Sequence, residues 1–390
     1  MTAESLFTTD LPADRAKTSA ANGMTELTRR SWAVVESRAD EVGSQFYAML
    51  FHLAPEVRDL FPVNLEMHRS RLIRAVVHVA HRTDNMEELL PFLHQLGRDH
   101  RKFGVRAEHF DAVTAALIGA IRKVSGKEWS PEIEDAWRET LALAAQAMRS
   151  AADAERGPAS WQGQVVEHTR HGWDIATITV QTSEPIAYRA GQYLSVETPQ
   201  RPRLWRYLSP ANAPRQDGTI EFHVRAVPGG WVSRAIVAHA NVGDTWRLGS
   251  PMGRMGVEPN SEREVLMVAG GTGVAPIKAL LDDLSQRQRP PRTQVFVGGR
   301  TWEDLYDFDA LRRLSYAGAW LDVVPVVEQD DRASGAERGT LADIVTRYGA
   351  WADHDVLVSG SPAMIRATVS RMLVAGTPLD RITYDPFTME

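Results

Sequence analysis

The chain has 390 residues, 44 Lys plus Arg against 50 Asp plus Glu, a net charge of −6, and no cysteine. Its length exceeds one ordinary core and predicts three domains, while the mild acidity gives no reason to expect a nucleic acid, an anionic membrane or an obligate protein partner. Without cysteine there is no disulfide, thiolate metal site or cysteine nucleophile, so any metal is held by nitrogen or oxygen, or inside a cofactor.

Residues 1–23 lack the apolar run of a signal peptide, and no later stretch approaches the ~18 apolar residues of a membrane span. They read as a disordered leader on a cytoplasmic protein. From Met24 to Glu155 apolar residues recur at helical spacing (Trp32, Val35, Ala39, Val42, Phe46; Leu72, Val76, Val79; Trp137, Leu141, Ala144, Met148), predicting an all-helical domain over 24–155. Helix starts are expected at APEV (Ala54) and SPEI (Ser130), each with Pro in the first turn.

Past Trp161 the period changes to two in ATITVQT, QYLSVET and EFHVRAV, with Gly, Pro and Asp clusters between them. A small antiparallel β-barrel is expected over 160–258. From Val265 apolar strands recur about every 30 residues (VLMVAG, QVFVGG, LDVVPVV, DVLVSG, ITYDPF), most separated by helical stretches. That rhythm predicts a doubly wound α/β domain over 262–390.

VLMVAGGTGVAPIKALL runs from a buried strand through a glycine turn into a helix expected near Ala275 and Pro276. Gly270, Gly271 and Gly273 allow backbone amides close to an anion, and the positive helix end favours a pyrophosphate. A ligand-free turn is the plain alternative, but strand, turn, helix and repeat together favour a dinucleotide. In VSGSPAM, Ser361 is expected as N-cap with Pro362 in the first turn, which turns Ser359 and Gly360 towards the same crevice as Gly270. Upstream, WRYLSPANAP places Arg206 three residues before Ser209, and GGWVSRAIVAHA opens a helix near Ser233. An arginine and a glycine-led helix start are the two devices that hold a diphosphate, and Ser209 is a hydrogen-bonding group for a flavin ring. Alone, Arg206 is equally a surface pair and Gly229-Gly230 a hairpin turn.

In this order the motifs resemble the ferredoxin-reductase type of flavin and nicotinamide module over residues 160–390. The resemblance implies that Tyr193, Arg206, Ser209, Gly230, Val232 and Ser233 hold FAD, and that Gly270, Gly271, Thr272, Gly273, Val274, Ala275, Pro276, Ser359 and Gly360 hold NAD(P)H. Phe387 would lie near the flavin ring. Leu208 stands where the family has an aromatic residue against the flavin, with Tyr207 beside it as a substitute if the register differs. Ser359 replaces the commoner cysteine. Arg300 either contacts a 2′-phosphate or caps a loop, so NADH and NADPH stay open.

The stretch DHRKFGVRAEHF then resembles the flavohaemoglobins, globins fused to such a reductase. The resemblance implies that His100 is the axial ligand of haem b, that Tyr47 points its hydroxyl at a bound gas, that Phe61 wedges against the haem, and that His68 and Leu72 lie one turn apart above it. His68, His78, His81, His94 and His109 are each candidates for an ordinary surface role. The family also has a tyrosine ten residues after the proximal histidine and a glutamate late in the last globin helix, where this chain has Phe110 and Ala154 between Asp153 and Glu155. The implied function is NAD(P)H-driven conversion of NO and O2 to nitrate. The alternatives are an oxidoreductase serving another haem substrate or electron acceptor, and a gas sensor whose output is binding.

Overall fold

A computed structural model describes the backbone of residues 12–259, 261–330 and 334–385, and side chains from residue 23 onward except that of Ala107. The chain divides into two compact units, Met1–Ala159 and Ser160–Glu390.

The first unit is helical: α1 (Pro12–Val35), α2 (Ala39–Leu53), α3 (Glu66–Arg82), α4 (Met86–His100), α5 (Ala107–Ser125) and α6 (Pro131–Ala154). The start of α1 corrects the expected leader. Its first residue is Pro12, whose fixed φ suits a first turn, and alanines at 13, 16, 20 and 21 follow as strong helix formers. Residues 1–11 lie outside the described residues. APEV does not open an α-helix either. Pro55–Leu60 is a short 3-10 helix, and Pro62 holds Phe61 extended (φ −108°, ψ 149°), which stops the turn from growing. Ser130 caps α6 as expected, its side chain accepting from Ile133 N, with Pro131 in the first turn.

Trp32 and Trp137 are fully buried with ring centroids 6.4 Å apart, and Trp137 Nε1 donates to Ser31 Oγ at 2.8 Å. Gly97 lets α4 approach α6, because a Cβ there would lie 2.7 Å from Met148 Cα and closer still to its carbonyl oxygen. Overpacking of this kind costs about 1–3 kcal/mol.

The second unit begins with β1 (Trp161–His171), β2 (Ile175–Thr182), β3 (Leu194–Glu197), β4 (Arg206–Leu208), β5 (Thr219–Arg225), α7 (Trp231–His239) and β6 (Thr245–Leu248). The strands form an antiparallel sheet in the order β4-β3-β6-β1-β2-β5. A bridge between Pro210 and Phe222 ties its two edges, reinforced by Ala211 N donating to Glu221 O at 2.8 Å, so the sheet curls into the expected barrel. Helix α7 starts at Trp231, two residues earlier than the sequence suggests.

There follow β7 (Val265–Gly270), α8 (Val274–Ser285), β8 (Thr293–Gly299), α9 (Phe308–Ala317), β9 (Leu321–Val327), β10 (Glu337–Arg338), α10 (Leu341–Tyr348), β11 (Asp355–Ser359), α11 (Pro362–Val374) and β12 (Ile382–Thr383). Their sheet is parallel, in the order β10-β9-β8-β7-β11-β12. Along β7, Val265, Met267 and Ala269 pack with α8 and α9, while Leu266 and Val268 pack with α10 and α11. Both faces are covered, so the strand reads as a continuous apolar run rather than an alternation. Ala190, Met255 and Val257 join the α8–α9 core, which fuses barrel and α/β layer into one body.

Candidate functional site

His100 is the last residue of α4, and its Nδ1 lies 2.7 Å from Leu96 O. A carbonyl only accepts, so Nδ1 carries the hydrogen and Nε2 keeps the lone pair. Burial lowers the ring's pKa, and Lys102 acts in the same direction, against Asp99 and the Leu96 contact. The result is a neutral imidazole with a second nitrogen free to ligate, as an axial haem ligand requires. Two rival histidines have other work: His109 Nδ1 accepts from Arg106 N at 3.1 Å at the start of α5, and the His78 ring lies 4.4 Å from that of Phe92. Among the described residues no group of three or more His, Asp or Glu gathers to hold a bare metal ion.

The structure brings the expected distal residues together. Tyr47, 6% exposed on α2, packs its ring against Phe46 (4.9 Å), Phe61 (5.5 Å) and Phe51 (5.8 Å), and Phe61 meets His68 on α3 at 6.0 Å. Leu72, one turn beyond His68, packs on the same cluster. Burial raises the Tyr47 pKa and Arg69 offsets this only in part, so the phenol keeps its proton and stays a donor. Thus α2 and α3 supply a protonated phenol in an aromatic wall, and α4 supplies a neutral imidazole. This donor set fits haem b.

At the two positions where the resemblance leads to a tyrosine and a glutamate stand Phe110 and, next to Glu155, Ala154. The Arg149 guanidinium lies 5.6 Å from the Phe110 ring centroid, and Glu155 pairs with Arg98 at 3.9 Å. The only hydrogen bond described for the His100 ring is therefore the one to Leu96 O.

On the barrel, the register of β3 and β4 answers the Tyr207 question. Leu194 faces Leu208 and Ser195 faces Tyr207, so Arg206 and Leu208 share one face and Tyr207 takes the other, with its ring 5.0 Å from that of Tyr193. Tyr207 does not take Leu208's place; Leu208 packs on the barrel core. Arg206 is half-buried and donates from Nη1 to Trp205 O at 2.8 Å, and Ser209 is half-buried just past the strand. Gly230 is the N-cap of α7; Val232 is buried, and Ser233 Oγ accepts from Val227 N at 3.4 Å. Phe387 lies outside the described residues.

In the parallel sheet, Ser359 pairs with the strand beside Ala269, and the order reverses between β7 and β11, a switch point where ligands bind at the strand ends. The turns there touch. A Cβ on Gly273 would lie 2.6 Å from Gly360 N and closer to Ser359 O. Gly271 through Gly273 form one 3-10 turn leading into α8, whose first residues Val274, Ala275 and Pro276 are buried, with Thr272 half-buried ahead of them. The helix thus starts one residue before Ala275. Arg300 sits at the end of β8, its Nε 3.7 Å from Asp304 Oδ2 and its backbone N donating to the same oxygen at 3.0 Å.

Sequence reasoning missed the outer face of β5. Phe222 and Val224 point into the barrel, so Glu221, His223 and Arg225 point out, against α8 and residues 304–307. His223 Nδ1 is 2.8 Å from Tyr306 Oη, and Lys278 Nζ donates to Glu221 at 2.9 Å. Burial works to raise the Glu221 pKa, but His223 and Lys278 outweigh it and bring it down to about 2. The alternation in EFHVR was visible; that its polar face is covered was not. Also missed was Asp385, 5% exposed, whose Oδ1 lies with the Tyr193 ring beside Gly253. Burial pushes its carboxyl up to about 7 against a hydrogen bond from Arg254 N.

Comparison with known proteins follows this division. Residues 44–148 match the globin family, 162–256 the oxidoreductase FAD-binding domain and 267–370 the oxidoreductase NAD-binding domain. The chain is 21% identical over 393 residues to a flavohemoprotein of Bacillus subtilis, covering 94% of this chain and 97% of that one. It is 30% identical over 233 residues to the xylene/toluene monooxygenase electron transfer component of Pseudomonas putida, covering 59% of this chain and 66% of the relative, just under two thirds. The structure of a flavohemoglobin from Malassezia yamatoensis, solved with FAD and haem, superposes with a TM-score of 0.79 over 93% of this chain and 98% of that one, at 17% identity.

Proposed function

Because the chain belongs to the flavohaemoglobin family of NAD(P)H-dependent flavohaemoprotein oxidoreductases, we propose that it acts as a nitric oxide dioxygenase. In that reaction two NO and two O2 become two nitrate ions for each NAD(P)H oxidised, with one proton released. When bound, haem supplies the gas-binding iron and FAD turns hydride transfer into single-electron delivery.

The chain's own residues divide the remaining work. His100 would hold the haem through Nε2, with Leu96 O orienting its ring. Tyr47 holds a proton at its hydroxyl, placed to donate to a gas that gains negative charge. Phe61, Phe51 and Leu72 exclude water from the same wall. In the second unit Tyr193, Arg206, Ser209, Val232 and Ser233 are the FAD-holding set, and Gly270 to Pro276 with Ser359 and Gly360 form the dinucleotide crevice. The observation that carries this reading is the buried, protonated Tyr47 in ring contact with Phe61 in a unit that also holds a neutral His100.

Transfer of electrons to a different acceptor is the second reading. It is favoured by Phe110 under Arg149, where the apolar ring offers no hydrogen-bonding group such as the family's tyrosine, and by the electron-transfer relative at 30% identity. Nitrate formed stoichiometrically from NO, O2 and NAD(P)H, and reduced about 10-fold or more in Tyr47→Phe, supports the first reading. Brisk NAD(P)H oxidation by artificial acceptors with negligible NO consumption supports the second.

A further inference from the structure

We propose that His223 is a positioning residue for hydride transfer, fixing the barrel strand that leads to the FAD-binding turn against the helix that starts at the dinucleotide turn. The inference rests on reading Gly230 to Ser233 and Gly270 to Pro276 as those two turns. Strand β5 runs on through Val227 to Gly230, the N-cap of α7, and Lys278 lies one turn into α8, just past Val274. Whatever joins β5 to α8 therefore sets how the two cofactor-holding ends stand to each other.

The joint is a closed circuit of hydrogen bonds and ion pairs. Tyr306 Oη lies 2.8 Å from His223 Nδ1, and His223 Nε2 lies 2.7 Å from Glu221 Oε1. Lys278 Nζ donates to that same oxygen at 2.9 Å and lies 3.1 Å from Asp307 Oδ2. The circuit leaves the segment before α9 at Tyr306, crosses into the barrel, and returns by way of α8 to the adjacent residue. Burial works to raise the Glu221 pKa, but His223 and Lys278 bring it down to about 2, so the carboxylate only accepts and His223 Nε2 carries the hydrogen. Burial also raises the Tyr306 pKa well above its usual value, so the phenol keeps its proton and donates to the lone pair at Nδ1 of the neutral ring.

The His223 side chain is 0% exposed, and the Tyr306 ring is held between His223 at 5.5 Å and His171, the last residue of β1, at 5.1 Å. A satisfied buried network of this kind rigidifies what it joins. The step it serves turns NAD(P)H and FAD into NAD(P)+ and FADH−; the hydride moves with its electron pair and no further reactant is needed. Its rate depends steeply on placement, since a shift of about 1 Å caused by a distant substitution costs on the order of 100-fold. No member of the circuit belongs to either cofactor turn, so its effect falls on geometry rather than on affinity.

The test uses the full chain loaded with haem and FAD, mixed anaerobically with NADH and with NADPH in a stopped-flow instrument. At saturating dinucleotide, flavin reduction is expected to slow about 10-fold or more in His223→Leu and in Tyr306→Phe. The dinucleotide Kd should stay within about 2-fold of wild type, so that the loss falls on the limiting rate. The long-wavelength charge-transfer absorbance between NAD(P)+ and reduced flavin, which reports how the two rings stack, should fade in the same variants. His223→Gln, which keeps a donor for Glu221, should lie between them and wild type. Unchanged limiting rates and charge-transfer bands in Tyr306→Phe overturn the inference, and that near-isosteric change keeps it falsifiable should His223→Leu not fold. So does a lowered melting temperature with a normal limiting rate, the mark of a merely structural joint. If neither dinucleotide reduces the flavin of wild type, the reading of the two turns falls first and the inference with it.

Discussion

The glycine turns of the second unit and the surroundings of His100 in the first would hold their proposed ligands by opposite means. In the crevice the information is in the backbone: Gly273 sits where any Cβ would strike the Ser359–Gly360 turn, and the amides are placed by the fold itself. In the globin unit it rests on single side chains, His100 and Tyr47, whose behaviour depends on which neighbours surround them. A backbone site tolerates drift in its surroundings as long as the glycines stay. A side-chain site can keep its ligand while its tuning changes, as the proposed ligand His100 would in a chain with Phe110 under Arg149.

Four experiments sharpen or break this contrast. The largest effect is expected for His100→Ala, which removes the only axial ligand proposed and should abolish the Soret band of haem-loaded protein while flavin reduction by NAD(P)H continues. Persistence of an unchanged Soret band would refute the ligand assignment. Next, Gly273→Ala should cost about 1–3 kcal/mol of local packing and slow flavin reduction by about 10-fold or more, with the haem spectrum untouched. A normal stopped-flow reduction rate would show that the turn is not a rigid backbone site. Third, Phe110→Tyr combined with Ala154→Glu should raise NO turnover by about 10-fold and shift the iron–histidine stretching frequency upward, because partners behind a ligand tune its basicity by such factors. Absence of both changes would mean that Arg98 and Arg149 hold any new carboxylate away from His100.

The smallest effect concerns Asp385. Its folded pKa is raised from 3.8 to about 7, so the folded state binds a proton that the unfolded state has already released. The sign is therefore a loss of stability as pH rises from about 4 to about 7. Asp385→Asn should flatten that part of the melting-temperature profile of the second unit by a few degrees, read by calorimetry. An identical profile in the variant would place the titration elsewhere.

Much of the architecture was legible because its periods are short-range facts. The change from helical spacing to alternation at Trp161, the apolar strands recurring from Val265, and the Ser361-Pro362 cap all appear where the sequence suggests. The errors have local causes as well. Residues 12–23 look polar and unpatterned, yet alanine propensity makes Pro12 onward helical, and Pro62 cuts the APEV turn short. The glycine turns of the candidate site were readable, and His100 was singled out as its candidate ligand. The face-sharing of Arg206 with Leu208, the covered outer face of β5 and the buried Asp385 were not.

By itself the sequence determined the order of helical, barrel and α/β regions, the glycine turns and the candidate ligand, since propensity, period and conformational freedom are properties of neighbouring residues. Tertiary structure alone decided which nitrogen of His100 carries the hydrogen, where Tyr207 points, and that Arg225 meets Gly271. These depend on groups distant in the chain that are brought within a few ångströms, and on the water that burial removes from around them.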